Sequence, residues 1–216
     1  MKAPSISGTA SNPCRSENRA MSTPEELLQK KELILHNELL FANQIGAAVF
    51  ERPKVNFWMI LVPILFLYFV YRMQKYKQGR IKFDQDFMIT RRRAMDVAVE
   101  ALSLGGSPDV DRVVRESTLV DEELRQSYGA WVKVLTEYYM DLLAAKGDTF
   151  ESLVRSAYKS SMNFLLELNR ISTAERQFYS SLRLRLSETE GAAAIIATIE
   201  ERSQQLRRDM ASGIFE

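Results

Sequence analysis

The chain has 216 residues, of which 29 are basic and 28 acidic, so its formal net charge is only +1. Because 46% of the residues are apolar and the net charge is low, the composition excludes a chain that is disordered throughout. The single cysteine excludes an intramolecular disulfide framework. Together with the single histidine, it also excludes zinc fingers and His-rich metal centres.

Residues 1–22 are predicted to form a disordered tail, because they are rich in Ser, Ala, Asn and Pro and show no periodicity. Either Met1 or Met21 fits the start codon. An amphipathic helix is predicted over 23–52, with Thr23 as N-cap, Pro24 at the first helical position and Glu26 completing a capping box. Three placements of this helix remain open: in the headgroup plane of a membrane, on a partner protein, or in a re-entrant hairpin with the following apolar segment.

A transmembrane helix is predicted over 54–72. The stretch from Val55 to Tyr71 carries no charge and would span about 25 Å as a helix, near the lower limit for crossing a bilayer. Trp58 lies near one end and Tyr68 near the other, as in the aromatic belts of membrane helices. Pro63, in the middle of the stretch, predicts a kink.

A basic juxtamembrane segment is predicted over 73–83. The candidate membrane-surface residues in and beside it are Arg72, Lys75, Lys77, Arg80 and Lys82. They fit contacts with anionic lipid headgroups, although the favoured interpretation is that they only set the topology. Basic residues are more frequent after the apolar stretch than before it. The sequence therefore predicts a single-pass protein of the cell inner membrane with a cytoplasmic C-terminal domain.

Residues 84–216 are predicted to form an all-α domain, an antiparallel bundle of about four helices. Helices are expected over about 84–104, from Ser107 towards Lys146, from Thr149 onwards and after Gly191. The second could break near Thr118 and the third at 172–175. Apolar and small side chains recur every three or four residues along the second helix, which is typical of a bundle core: Val110, Val113, Ser117, Val120, Leu124, Tyr128, Trp131, Leu135, Tyr138 and Leu142. No stretch alternates with the period of a β-strand.

No motif for phosphate, dinucleotide, metal or nucleophilic chemistry occurs in the sequence. We therefore expect no catalytic, cofactor-binding or metal-binding residues, and no binding to nucleic acid. Arg91, Arg92 and Arg93 are expected to form a solvated helix turn. Tyr139 and Leu184 are candidates for a surface that contacts a partner.

These features predict a membrane-anchored helical interaction or scaffold protein, an accessory subunit of a bacterial inner-membrane complex. Its partners would be the lipid bilayer and other membrane or cytoplasmic proteins. The alternative is a membrane-bound enzyme whose site is built from scattered Arg, Tyr and Glu residues. A deep pocket with converging charged residues would favour the enzyme, and a filled bundle with one exposed apolar groove would favour the interaction protein.

Overall fold

The structure is a computed structural model that describes residues 23–49, 63–117, 119, 121–187 and 192–216, with the side chains of 63–78 and 82 left out. Within these ranges the chain forms seven helices and no strand: α1 Pro24–Val49, α2 Pro63–Leu104, α3 Val110–Arg115, α4 Glu122–Ala144, α5 Phe150–Tyr158, α6 Ser161–Arg185 and α7 Ala192–Phe215. The expected all-α bundle is confirmed. The predicted disordered tail lies outside the described residues.

Side-chain caps explain where five of the helices begin. Thr23, Asp109, Asp121, Thr149 and Ser160 each accept a hydrogen bond from a backbone N–H in the first turn of the helix that follows. Glu26 accepts in return from the N–H of Thr23, so the predicted capping box is confirmed. The predicted break near Thr118 is confirmed, since α3 and α4 are separate helices. The expected division at 172–175 is wrong, because the chain breaks instead at Lys159, which has a left-handed backbone with φ of 64°.

The main hydrophobic core surrounds α4. Four side chains of α4 that the periodicity assigned to the core are buried: Trp131, Leu135, Tyr138 and Leu142. They pack with residues of α1, α2, α5, α6 and α7, among them Ile34, Met95 and Leu153. A second, smaller cluster lies at one end of the bundle and contains Ile45, Tyr179, Ile196, Ile199 and Leu206.

Helix α1 is part of this bundle, which differs from a placement in the headgroup plane or on a partner protein. The re-entrant hairpin stays a prediction. Leu27 and Ile34 are buried in the main core and Ile45 in the second cluster. The ammonium of Lys31 lies 2.8 Å from the carboxylate of Asp96 on α2. The bundle therefore extends beyond residues 84–216. Burial of its apolar face against α2, α4 and α7 is what holds α1 in place.

The predicted boundaries at 72 and 84 do not appear in the structure. One helix, α2, runs without interruption through 42 residues from Pro63 to Leu104, so the basic segment 73–83 is helical and continues directly into the bundle. Within the described residues, no helix has an apolar stretch long enough to cross a membrane. The first part of the predicted transmembrane segment, 54–62, lies outside those residues, and the rest, 63–72, forms the start of α2.

Candidate functional site

A buried network of charged side chains lies at the centre of the bundle, with Arg91 of α2 in its middle. The Arg91 side chain is only 1% exposed. Its Nε donates to Oε2 of Glu38 on α1 at 2.9 Å, and its Nη2 donates to Oε1 of Glu175 on α6 at 3.3 Å. The guanidinium carbon lies 3.7 Å from the centre of the Phe87 ring, a distance at which the cation is attracted to the aromatic face.

Two further helices complete the network. Nη2 of Arg207 on α7 lies 2.8 Å from Oε2 of Glu175, and its Nη1 donates to the Ser172 hydroxyl at 2.8 Å. The phenol of Tyr139 on α4 donates to Oε1 of Glu38 at 3.0 Å. Each of the helices α1, α2, α4, α6 and α7 thus supplies at least one side chain to a single connected set of hydrogen bonds.

The charges of this network cancel, because two carboxylates face two guanidinium groups. Burial alone would lower the pKa of Arg91, but Glu38 and Glu175 outweigh it and hold the pKa above its ordinary value. Burial alone would raise the pKa of Glu175, but Arg207 and Arg91 hold it below its ordinary value. Both groups stay charged near neutral pH, so neither is poised to exchange protons with a substrate.

The space beside the network is small. A cavity of about 20 Å³ is lined by residues of α1, α2, α4, α6 and α7, including Glu38, Arg91, Tyr138 and Arg207. That volume holds about one water molecule. The charged groups converge as in an enzyme, yet they leave no room for a substrate. The arrangement therefore fixes five helices relative to one another.

An open groove of about 670 Å³ lies between α3 and α4. Its walls carry Arg115, Glu122 and Arg125 beside Val114 and Gly129. Helix α4 approaches α3 closely there, since a Cβ on Gly129 would lie 3.1 Å from Cγ2 of Val114. A shallow groove that is open along its length lacks the enclosure of a small-molecule site.

The structure corrects the candidate partner surface. Tyr139 is wholly buried and donates its hydroxyl hydrogen to Glu38, so the expectation that it faces a partner is wrong. Burial raises the pKa of the Tyr139 phenol well above its ordinary value. Leu184, in contrast, is 70% exposed near the end of α6 and stays a candidate.

Of the five candidate membrane-surface residues, only Arg80 has a described side chain. Its Nη2 donates to the backbone oxygen of Asn43 on α1 at 2.9 Å. The side chains of Arg72, Lys75, Lys77 and Lys82 lie outside the described part, although all four residues belong to α2. Their contact with lipid headgroups stays a prediction.

The buried network is not predicted by the sequence pattern, because three consecutive arginines, 91–93, favour a solvated helix turn. A signal for it was present in the sequence, since Arg91 lies on the apolar stripe of α2 with Met88, Ala94, Met95 and Ala98 three, four or seven residues away. Glu38, Glu175 and Arg207 lie on the apolar stripes of their own helices in the same way. A buried charge requires a partner of opposite charge. Two glutamates and two arginines on apolar stripes therefore indicate that these four side chains pair with one another.

At one end of the bundle, the end of α1 packs beside α2 and the end of α6. The last residue of α1, Val49, packs against the second cluster together with Phe83 of α2 and Leu186, which follows α6. Helices α1 and α2 nearly touch at this end, because a Cβ on Gly46 would lie 3.1 Å from Cδ1 of Phe83. We call this region, formed by 45–49, 79–87, 179–187 and 192–199, the anchor end.

No protein family, no curated protein and no solved structure matches this chain.

Proposed function

We propose that this chain is a membrane-anchored helical interaction protein, an accessory subunit of a bacterial inner-membrane complex. The observation that carries the proposal is the uncharged sequence Val55–Tyr71 between two helices that contact each other. Helix α1 precedes this sequence, α2 includes its residues 63–71, and both pack at the anchor end of a bundle whose central cavity is only about 20 Å³. The segment would hold the chain in the bilayer, and the outer faces of the bundle would bind other proteins.

The membrane part of the proposal rests on residue chemistry. The segment carries no charge, and transfer of such side chains out of water is favourable. The basic residues Arg72, Lys75 and Lys77 follow it within the next two turns of α2. Basic side chains near anionic headgroups contribute about 1 kcal/mol each.

The protein-binding part rests on exposed apolar side chains. Leu104, Met162, Leu166 and Leu184 are each between 70 and 79% exposed. Met162 and Leu166 lie one turn apart on α6 and therefore share a face. Large apolar side chains of this kind form the centres of protein interfaces. An enzyme finds less support, because the converging charges surround a cavity of about 20 Å³.

The proposal predicts the effect of a charge in the apolar segment. Leu65→Arg should cost roughly 2.5–3.5 kcal/mol of insertion free energy if the residue lies near the middle of the bilayer. The measurement is extraction of cell membranes with alkaline carbonate, followed by immunoblotting of pellet and supernatant. The native chain is expected in the pellet and the variant in the supernatant.

The matched control is Leu104→Arg, the same substitution at a position that is 77% exposed at the end of α2. This variant should stay in the pellet with the native chain. Release of the native chain itself by carbonate would contradict the proposed anchorage. Release of both variants would show that the charge acts on folding and not on insertion.

A further inference from the structure

Helix α1, which precedes the apolar segment, is in direct contact with α2, which includes residues 63–71 of that segment. The chain leaves α1 at Val49, and by Arg80 it is again in contact with α1 through the 2.9 Å hydrogen bond to the oxygen of Asn43. Gly46 permits the close approach of Phe83 at the same level. The chain therefore departs from and returns to the same end of the bundle.

Helix α1 is also attached to the bundle along the rest of its length. The ammonium of Lys30 donates to the backbone oxygen of Leu143 on α4 at 3.1 Å, and Lys31 pairs with Asp96 on α2. Between these contacts and the anchor end, Glu38 pairs with the buried Arg91. Separating α1 from the bundle would expose its apolar face and leave Arg91 without one of its two carboxylates, which costs several kcal/mol.

We infer that the chain enters and leaves the bilayer on the same side, so that α1, the part of α2 from residue 79 onwards and the helices α3–α7 share one aqueous compartment. This inference rests on the proposed membrane anchorage. It replaces the single-pass topology and favours the re-entrant hairpin among the alternatives that the sequence left open. The medium that the apolar segment enters is a lipid bilayer. A span from one side to the other would put α1 across the membrane from the helices that bury it.

The described uncharged part of α2, 63–71, rises about 13 Å at 1.5 Å per residue, which is roughly half of a hydrocarbon core of about 30 Å. The basic residues that begin at Arg72 would then lie at the level of the headgroups.

The test places one cysteine at a time in the full chain with Cys14→Ser, at Gln29→Cys in α1 and at Ser212→Cys in α7. Both positions are exposed, so neither substitution disturbs the core. Cells that produce each variant are treated with a membrane-impermeant thiol reagent before and after permeabilisation. The inference predicts no labelling at either position in intact cells and full labelling at both after permeabilisation.

Labelling of only one of the two positions in intact cells would overturn the inference while leaving the membrane anchorage intact. Labelling of both in intact cells would support the shared compartment and move it to the outside. The same variants are extracted with carbonate. Release of both into the supernatant would overturn the anchorage itself, and the inference would fall with it.

Discussion

Arg91 shows how much depends on a single side chain in this bundle. It is buried among Phe87, Met88 and Met95, and its charge is tolerable only because Glu38 and Glu175 reach it from two other helices. Glu175 in turn neutralises Arg207. A buried pair of this kind contributes little net stability compared with apolar residues, but the removal of one partner leaves a buried charge uncompensated.

Glu175→Gln should therefore destabilise the chain by roughly 3–5 kcal/mol. The pKa of Glu175 is below its ordinary value, so the unfolded chain binds a proton there at a higher pH than the folded chain. The stability from this carboxylate is complete above the ordinary pKa near 4.5 and is lost as the pH falls through the folded pKa. The difference in unfolding free energy between native chain and variant should be largest above about pH 5 and shrink in acid.

Urea unfolding in mild detergent at several pH values, followed by near-ultraviolet circular dichroism, measures this difference. Glu201→Gln is the control, because Glu201 is exposed on α7 and its replacement should change stability by no more than about 0.5 kcal/mol. Equal effects of the two variants, or a difference that does not vary with pH, would contradict the role given to the network.

At the scale of the element, α4 is the helix that the other helices surround. Trp131 stacks on Phe178 of α6 with 5.4 Å between ring centres, and Leu135 is 2% exposed. The heptad-like spacing of these side chains made α4 readable from the sequence. The position of α1 could not be predicted from the sequence. An amphipathic pattern indicates that one face of a helix is buried, but it does not identify the helices or the medium against which that face packs.

Some helix boundaries could be predicted from the sequence and others could not. Caps such as Asp121 and Thr149 carry a chemical signature at the start of a helix, because a short oxygen-bearing side chain satisfies a free N–H group. The break at Lys159 has no such signature, because the left-handed position that ends α5 is usually filled by glycine. The apparent helix from 150 onwards therefore looked continuous until Ser172.

Leu135→Ala should destabilise the chain by roughly 2–5 kcal/mol, since it removes buried methyl groups from the main core. Lys133→Ala is the matched control on the same helix, because Lys133 is exposed. That change should stay within about 0.5 kcal/mol. Urea unfolding of both variants gives the comparison. A small effect at both positions would mean that α4 does not form a core.

At the scale of the whole molecule, contacts between α1 and α2 at the anchor end join the two sides of the stretch 50–78. We therefore expect the bundle to fold without that stretch. The bundle proper consists of α1, the part of α2 from residue 79 onwards, and α3–α7. This division differs from the domain boundary at 84 that composition alone suggested.

Replacement of residues 50–78 by a flexible linker of about ten Gly and Ser residues should give a protein that folds without detergent. Such a linker reaches about 33 Å when extended, enough to join two helices in contact. The expected result is cooperative urea unfolding with a helical circular dichroism spectrum. Aggregation of this variant would contradict the division.

A comparison chain that begins at Phe83 is expected to fail the same test. It lacks α1, so the main core loses Leu27 and Ile34, and Arg91 loses Glu38. Cooperative unfolding of this shorter chain would show that α1 is dispensable for the fold.

The length of the uninterrupted helix α2 also determines the distance between the two ends of the bundle. From Phe83 at the anchor end to Leu104 at the far end, the helix rises about 33 Å. Leu104 and Met162, the most exposed of the large apolar side chains, begin or end helices at that far end. If Arg72 lies at the level of the headgroups, α2 acts as a spacer, and a partner that binds at the far end would be held more than 30 Å above the lipid surface.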